Sequence, residues 1–303
     1  MTGVTGERWE RTVEVAGRTR RYLVHVPRDA ACSAEAPWPA VLAFHGGGST
    51  AEAMVEFSGL AEKADQAGFL AIFPSGTGRV SSALTWNGGN CCGRAMKDNV
   101  DDMGFVRMLL DDLAAWIPLD RTRVYATGMS NGGMLAYRLA AELADQIAAV
   151  APVGGPIGCL SPTPRVPVPI CHFHGTLDEF APFAGGIGKR SLSKTRFHSV
   201  EQSIAIWVQL NGCHPVPQVE ELPARVDDGT HVTQTRYVGG AAGAEVRLYT
   251  IHGGGHTWPG RRTTLSQLGP TTDNLQANDV MWDFFQQYRR TVVAEPTREQ
   301  QGQ

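Results

Sequence analysis

Arg123-Val124-Tyr125-Ala126-Thr127-Gly128-Met129-Ser130-Asn131-Gly132-Gly133 passes from a β-branched and aromatic run into a helical one. A G-x-S-x-G placed between a strand and a helix reads as a nucleophile elbow. There the serine sits on a tight, strained turn that lifts its hydroxyl above the sheet, and glycines two residues either side remove side chains that would collide. Ser130 is therefore the candidate nucleophile. The five-residue pattern is common, and a plain Gly-rich turn is the bland reading; context gives it weight. Leu135, Leu139 and Leu143 recur at i, i+4 and i+8 with Ala136 and Ala140 beside them, an amphipathic helix with a narrow buried face.

Outward from the elbow, apolar runs alternate with helical periods. Strands are predicted at 21–27, 40–44, 69–73, 124–127, 147–151, 168–173 and 246–251, and helices near 51–67, 99–116, 131–145, 199–211 and 278–290. Continuous apolar runs such as Ala40-Val41-Leu42-Ala43-Phe44 suit strands buried on both faces. The alternation predicts an α/β fold: a doubly wound, mostly parallel sheet with helices on both faces and ligands at the carboxyl ends of the strands. In the last helix Val280, Phe284 and Tyr288 share a stripe and Asn278 is the expected N-cap. The stretches 152–169 and 252–272 read as loops over the active face, and 214–244 as a long excursion of unassigned structure. One catalytic domain over 1–293 with a polar, frayed tail at 294–303 is expected.

Composition narrows the class. With 303 residues, 42% hydrophobic, 19% charged and a net charge of -3, the chain offers no electrostatic case for nucleic acid or an anionic membrane. No apolar run approaches the roughly 18 residues needed to span a bilayer, and Met1 to Glu10 shows no signal-peptide pattern. Oligomeric state is left open. The six cysteines, Cys32, Cys91, Cys92, Cys159, Cys171 and Cys213, lack zinc-site spacing and suggest a disulfide or two instead. Cys171, inside an apolar run, reads as a small buried residue.

A serine nucleophile needs a base, and the base an orienting acid. In chain order on a doubly wound sheet these follow as Ser, acid, His, each after a strand. His256 fits best, reached from the strand 246–251 through Gly253-Gly254-Gly255; His252 is the rival but directly continues the strand. Asp178 ends the run His172-Phe173-His174-Gly175-Thr176-Leu177-Asp178, with Glu179 as the competing carboxylate. His172 and His174 read as hydrogen-bonded supports of that turn in preference to metal ligands, since no third ligand stands at useful spacing. An oxyanion needs donors. His45-Gly46-Gly47-Gly48 follows a buried strand and lets backbone N–H groups approach a substrate, so the amides of Gly47 and of Asn131 are assigned to that role, with His45 structural.

These segments, with Trp86-Asn87-Gly88-Gly89-Asn90-Cys91-Cys92-Gly93 and Gly254-Gly255-His256-Thr257-Trp258-Pro259-Gly260, carry a family likeness over residues 20–290. The chain resembles the esterase family that groups feruloyl esterases of carbohydrate esterase family 1 with poly(3-hydroxybutyrate) depolymerase-like esterases. The resemblance implies an α/β-hydrolase fold, a Ser130/Asp178/His256 triad, and hydrolysis of small-molecule or polymer esters without cofactor or metal. It also implies that Trp258 borders an acyl or aromatic pocket, where by its own chemistry it either stacks on a planar hydroxycinnamate ring or walls the loop; Trp86 either lines the cleft or anchors a turn. Members are usually secreted. The chain departs from the pattern at Tyr237-Val238-Gly239-Gly240, where Cys213 loses its expected partner, and at Leu139-Ala140-Ala141-Glu142. A bridge from Cys159 to Cys91 or Cys92 is one expectation. The leading functional expectation is ester hydrolysis of hydroxycinnamoyl or related plant-wall esters. The rivals are a polyester depolymerase, a generalist short-chain esterase, or a catalytically silent carbohydrate-binding protein.

Overall fold

The computed structural model describes residues 8–27, 37–159, 161–191 and 193–290. Its strands are β1 (Arg8–Val15), β2 (Arg18–His25), β3 (Trp38–Phe44), β4 (Leu70–Pro74), β5 (Leu119–Met129), β6 (Ala149–Val153), β7 (Ile170–Gly175), β8 (Gln218–Glu221), β9 (His231–Tyr237) and β10 (Val246–His252). They form one ten-stranded sheet in the order β1-β2-β4-β3-β5-β6-β7-β10-β9-β8. The six central strands are parallel, and antiparallel pairs close both flanks. From β3 the chain crosses to β4 on one side and returns to β5 on the other. The carboxyl ends of β3 and β5 therefore flank a topological switch point, where open α/β sheets bind ligands.

Helices α1 (Ala51–Ser58), α2 (Leu60–Ala67) and α7 (Ala277–Phe285) cover one face; α4 (Asp102–Trp116), α5 (Asn131–Glu142) and α6 (Val200–Leu210) cover the other; α3 (Gly93–Lys97) is a single short turn. The period of two along β3 shows why its sequence is apolar throughout. Trp38, Ala40, Leu42 and Phe44 join the core under α4 to α6, with Phe105, Leu135 and Trp207. Val41 and Ala43 join the core under α1, α2 and α7, with Met54, Leu60 and Phe284.

The departures from the sequence reading have local causes. The expected helix over 51–67 breaks into α1 and α2 at Gly59, whose φ of 62° makes a left-handed cap with its N–H on the Val55 carbonyl. Asn278 does not cap α7, which starts one residue earlier; its side chain accepts from Trp258 Nε1 (2.9 Å) and donates to the Ser58 carbonyl (2.8 Å). The excursion 214–244 holds β8 and β9, which extend the sheet antiparallel. Every residue of β8 is exposed, so it carried no hydrophobic alternation to read. The expected tail, 294–303, and Cys32 lie outside the described residues. Among the described residues no helix is long and apolar enough to cross a membrane.

The elbow is packed at backbone distance. A Cβ on Gly132 would sit 2.2 Å from the Phe44 carbonyl oxygen and 2.7 Å from that of His45, with no flexible side chain to yield. Gly132→Ala is expected to cost at least about 3 kcal/mol, in the range of severe core substitutions; a denaturant midpoint within experimental error of the wild type would contradict this packing.

Candidate active site

Ser130 follows β5 and precedes α5 with φ 56° and ψ −116°, a strained combination for a residue with a side chain. Its N–H donates to the Val153 carbonyl (2.8 Å), and its carbonyl accepts from Met134 N (2.9 Å), so both sides of the turn are fixed. The register pairs Met129 with Val153, which sets Ser130 beside Gly154 at the exit of β6. A Cβ on Gly154 would lie 3.2 Å from His256 Nδ1, so the imidazole rests against the neighbouring strand exit.

His256 Nδ1 meets Asp178 Oδ2 at 2.6 Å. The other carboxylate oxygen of Asp178 accepts from the backbone N–H groups of Phe180 and Ala181, both at 2.8 Å. Burial alone would raise this carboxyl, but the charge and hydrogen bond of His256 and the N–H of His174 hold it well below the usual carboxylate range. The Phe180 ring stacks on His256 with centroids 5.0 Å apart. The rivals are engaged elsewhere: His252 bonds Thr233 Oγ1 and stacks on His231, and Glu179 pairs with Arg190 at the surface.

Gly46 and Gly47 pass directly over the elbow. Cβ atoms built on them would lie 3.7 Å from Ser130 Cβ and 3.5 Å from Asn131 Cβ. Asn131 opens α5, so its N–H has no carbonyl one turn back. Among the described residues the Gly47 N–H donates to no other protein group, whereas the Gly48 N–H is used on the Leu84 carbonyl (2.8 Å). His45 is structural, as expected: Nδ1 donates to the Gly46 carbonyl (2.8 Å) and Nε2 accepts from Gly76 N (3.0 Å).

Neither tryptophan presents a face to a ligand. Trp86 and Trp258 are both 0% exposed, which favours the turn-anchor and loop-wall readings and corrects their placing as substrate contacts. Trp86 is the turn anchor: its indole N–H donates to the His45 carbonyl (3.0 Å), and the Asn131 side chain grips its peptide group at both ends, Oδ1 to N (2.8 Å) and Nδ2 to O (3.1 Å). Asp102 ties down the next residue, accepting from Asn87 N while pairing with the buried Arg20, each at 2.8 Å. Trp258 packs edge-on to Phe57 beneath the His256 loop. The half-buried Phe180 is the aromatic side chain beside the imidazole, and sequence reasoning missed it because nothing in its spacing sets it apart from other loop aromatics. The Asn131 side chain was missed as well, since its motif position pointed only to its backbone.

Cys91 and Cys92 form a disulfide with each other, and Cys159 is free. This corrects the expected Cys159 bridge, because both candidate partners are consumed by their own pairing. Cys213 is free, with its sulfur on the Ala244 carbonyl. Among the described residues no group of three or more His, Cys, Asp and Glu side chains is placed to hold a metal ion.

The fold and the site define an α/β-hydrolase. The chain belongs to the dienelactone hydrolase family, whose profile matches residues 28–201. "Putative esterase NocK" of Nocardia uniformis subsp. tsuyamanensis is 33% identical over 288 residues, which cover 91% of this chain and 81% of that protein. Feruloyl esterase D of Neurospora crassa is 27% identical over 282 residues, covering 91% and 85%. Among solved structures, acetyl xylan esterase from Aspergillus awamori shares the fold with a TM-score of 0.59 at 16% identity, over 91% of this chain and 99% of that one. The chain is a carboxylic ester hydrolase.

Burial pushes the His45 imidazole down to about 4, opposed by its bond to the Gly46 carbonyl. An unfolded histidine titrates near 6.5, so between roughly pH 6.5 and 4 the unfolded chain binds more protons than the folded one, and stability falls as pH drops, by about 3 kcal/mol for this group alone. His172, pushed down by burial and by His174, acts in the same direction. His45→Asn is expected to lower Tm at pH 7 and flatten its decline between pH 6.5 and 4.5; an unchanged slope in calorimetry would remove His45 from the acid response.

Proposed function

We propose that the chain hydrolyses esters through an acyl-enzyme on Ser130, with hydroxycinnamoyl and related plant-wall esters as its substrate class. The observation that carries the mechanism is the 2.6 Å contact of His256 Nδ1 with Asp178, with the imidazole resting against Gly154 beside the strained Ser130 turn. With Nδ1 engaged, Nε2 is the free nitrogen that takes the Ser130 proton as the hydroxyl attacks the ester carbonyl. Asp178 holds that tautomer and stabilises the imidazolium. The tetrahedral oxyanion forms under the amides of Gly47 and Asn131, each donor of this kind contributing about 3 kcal/mol to barrier lowering. His256 then returns the proton to the leaving alcohol, the C–O bond breaks, and water repeats the sequence to release the acid. No group beyond the chain's own residues and water takes part.

The substrate class rests on the feruloyl esterase relatives and on Phe180, an aromatic surface at the imidazole against which a planar acyl group can pack. A second reading, polyester chains, is favoured by Leu177, Ile187 and Leu265, large apolar side chains 59%, 51% and 46% exposed on the loops that follow β7 and β10.

Ser130→Ala is expected to lower kcat/KM by about four orders of magnitude or more with the fold intact, and to abolish labelling by a fluorophosphonate. Retained turnover in that variant would sink the mechanism. Parallel assays on methyl ferulate, a short-chain p-nitrophenyl ester and a poly(3-hydroxybutyrate) suspension separate the substrate readings: preference for ferulate supports the first, clearing of the polymer the second.

A further inference from the structure

Strand β7 carries two imidazoles, His172 and His174, in an otherwise apolar run. Cys171 and Phe173 point into the core layer under α1, α2 and α7, so His172 and His174 face the opposite layer, toward α5. Both are buried, at 0% and 1% exposure. Such groups are tolerated in a core only when each nitrogen has a partner, and all four do. His172 Nδ1 meets the Tyr137 hydroxyl at 3.0 Å, His172 Nε2 meets His174 Nδ1 at 3.0 Å, and His174 Nε2 meets the Ala181 carbonyl at 2.7 Å. The same His174 nitrogen lies 3.3 Å from Asp178 Oδ2, the oxygen that also receives His256.

The direction of every bond follows from one end. A carbonyl only accepts, so His174 Nε2 carries the proton and, in a neutral ring, Nδ1 accepts. His172 Nε2 must then donate, and its Nδ1 must accept from Tyr137. Reversing either ring would set two lone pairs against each other. Packing fixes the rings as well: His172 stacks on Tyr137 (5.6 Å), Tyr137 on Trp207 (6.1 Å), and Phe183 meets His174 edge-on (5.8 Å). Cys171, whose thiol burial keeps protonated, is the further titratable group bearing on Tyr137.

We propose that Tyr137, His172 and His174 form a one-way line of positioning residues from α5, the helix that follows Ser130, to the back of Asp178, fixing the carboxylate as an acceptor and setting how strongly it draws on His256. The proposal rests on the Ser130/Asp178/His256 reading. The His174 Nε2–H, bonded to the Ala181 carbonyl at 2.7 Å, also lies 3.3 Å from Oδ2, where its positive end draws negative charge from the oxygen that faces His256 and helps hold the carboxylate plane. Without it, Oδ2 presents more negative charge to His256 and Asp178 is less well placed.

The test begins with the wild-type protein. Two-bond 1H–15N spectra of the histidine side chains are expected to show His172 and His174 as neutral Nε2–H tautomers; an Nδ1–H tautomer at either ring overturns the line without any variant having to fold. In kinetics, His174→Leu is expected to lower kcat by about 10- to 100-fold with KM within about twofold, as for small misplacements of a catalytic group, and to move the acid limb of kcat/KM to higher pH. His174→Gln, which keeps an N–H near the same place, restores most of the rate. Tyr137→Phe is expected to shift the low-field His256 Nδ1 proton resonance. Ser130→Ala, assayed alongside, separates the failures. If it retains turnover, the triad reading falls. If it is inactive while folded His174→Leu and Tyr137→Phe keep the wild-type pH profile, the positioning line falls and the triad stands.

Discussion

The close approach of the β5–α5 turn to the end of β3 is the constraint on which the rest of the structure depends. Gly128 and Gly132 bring the elbow backbone against the Phe44 carbonyl at distances that exclude a Cβ, and that contact, together with the Ser130 N–H on the Val153 carbonyl, over-determines the positive-φ conformation of Ser130. Because α5 starts there, Asn131 falls under Gly47 and its side chain reaches Trp86. Trp86 in turn holds the His45 carbonyl, and His45 the Gly46 carbonyl and the Gly76 amide. The loop above the serine is thus held by bonds that originate at the elbow itself.

A second organising feature is the number of buried polar groups around the site. His45, Asp102, His172, His174, Asp178 and His256 are all nearly inaccessible. Each is bonded, and the bonds divide the groups by charge. Imidazoles away from the carboxylate are kept neutral by burial. Asp178 is kept ionised by two backbone amides and two imidazoles. This separation is what acid–base chemistry on two neighbouring groups requires. Asp102, which burial pushes up and Arg20 opposes, serves the loop between Trp86 and Gly93 in the same structural way.

Much of this was legible in the residues. The apolar runs and helical periods gave the parallel core of the sheet, because strands buried on both faces leave a continuous signature. The glycine spacing about Ser130 and the carboxylate after β7 marked the candidate site, because the chemistry proposed for it needs particular residue types at strand ends. Edge strand β8, with every side chain exposed, left no such trace. The break at Gly59 lay hidden inside an uninterrupted helical period, and only the left-handed φ reveals it.

By itself the sequence determined the layer architecture, the chain order of serine, acid and histidine, and the glycine loop that must cross over the serine, since each is set by local periodicity or by backbone freedom. The tertiary structure alone decided what the large and titratable side chains do. Trp86 and Trp258 turned out to be buried supports, Phe180 the aromatic at the imidazole, and His172 and His174 a line running back to α5. Those roles depend on which atoms meet across strands and helices more than 30 residues apart in sequence for Tyr137 and His172, and a side chain's type does not state its partner.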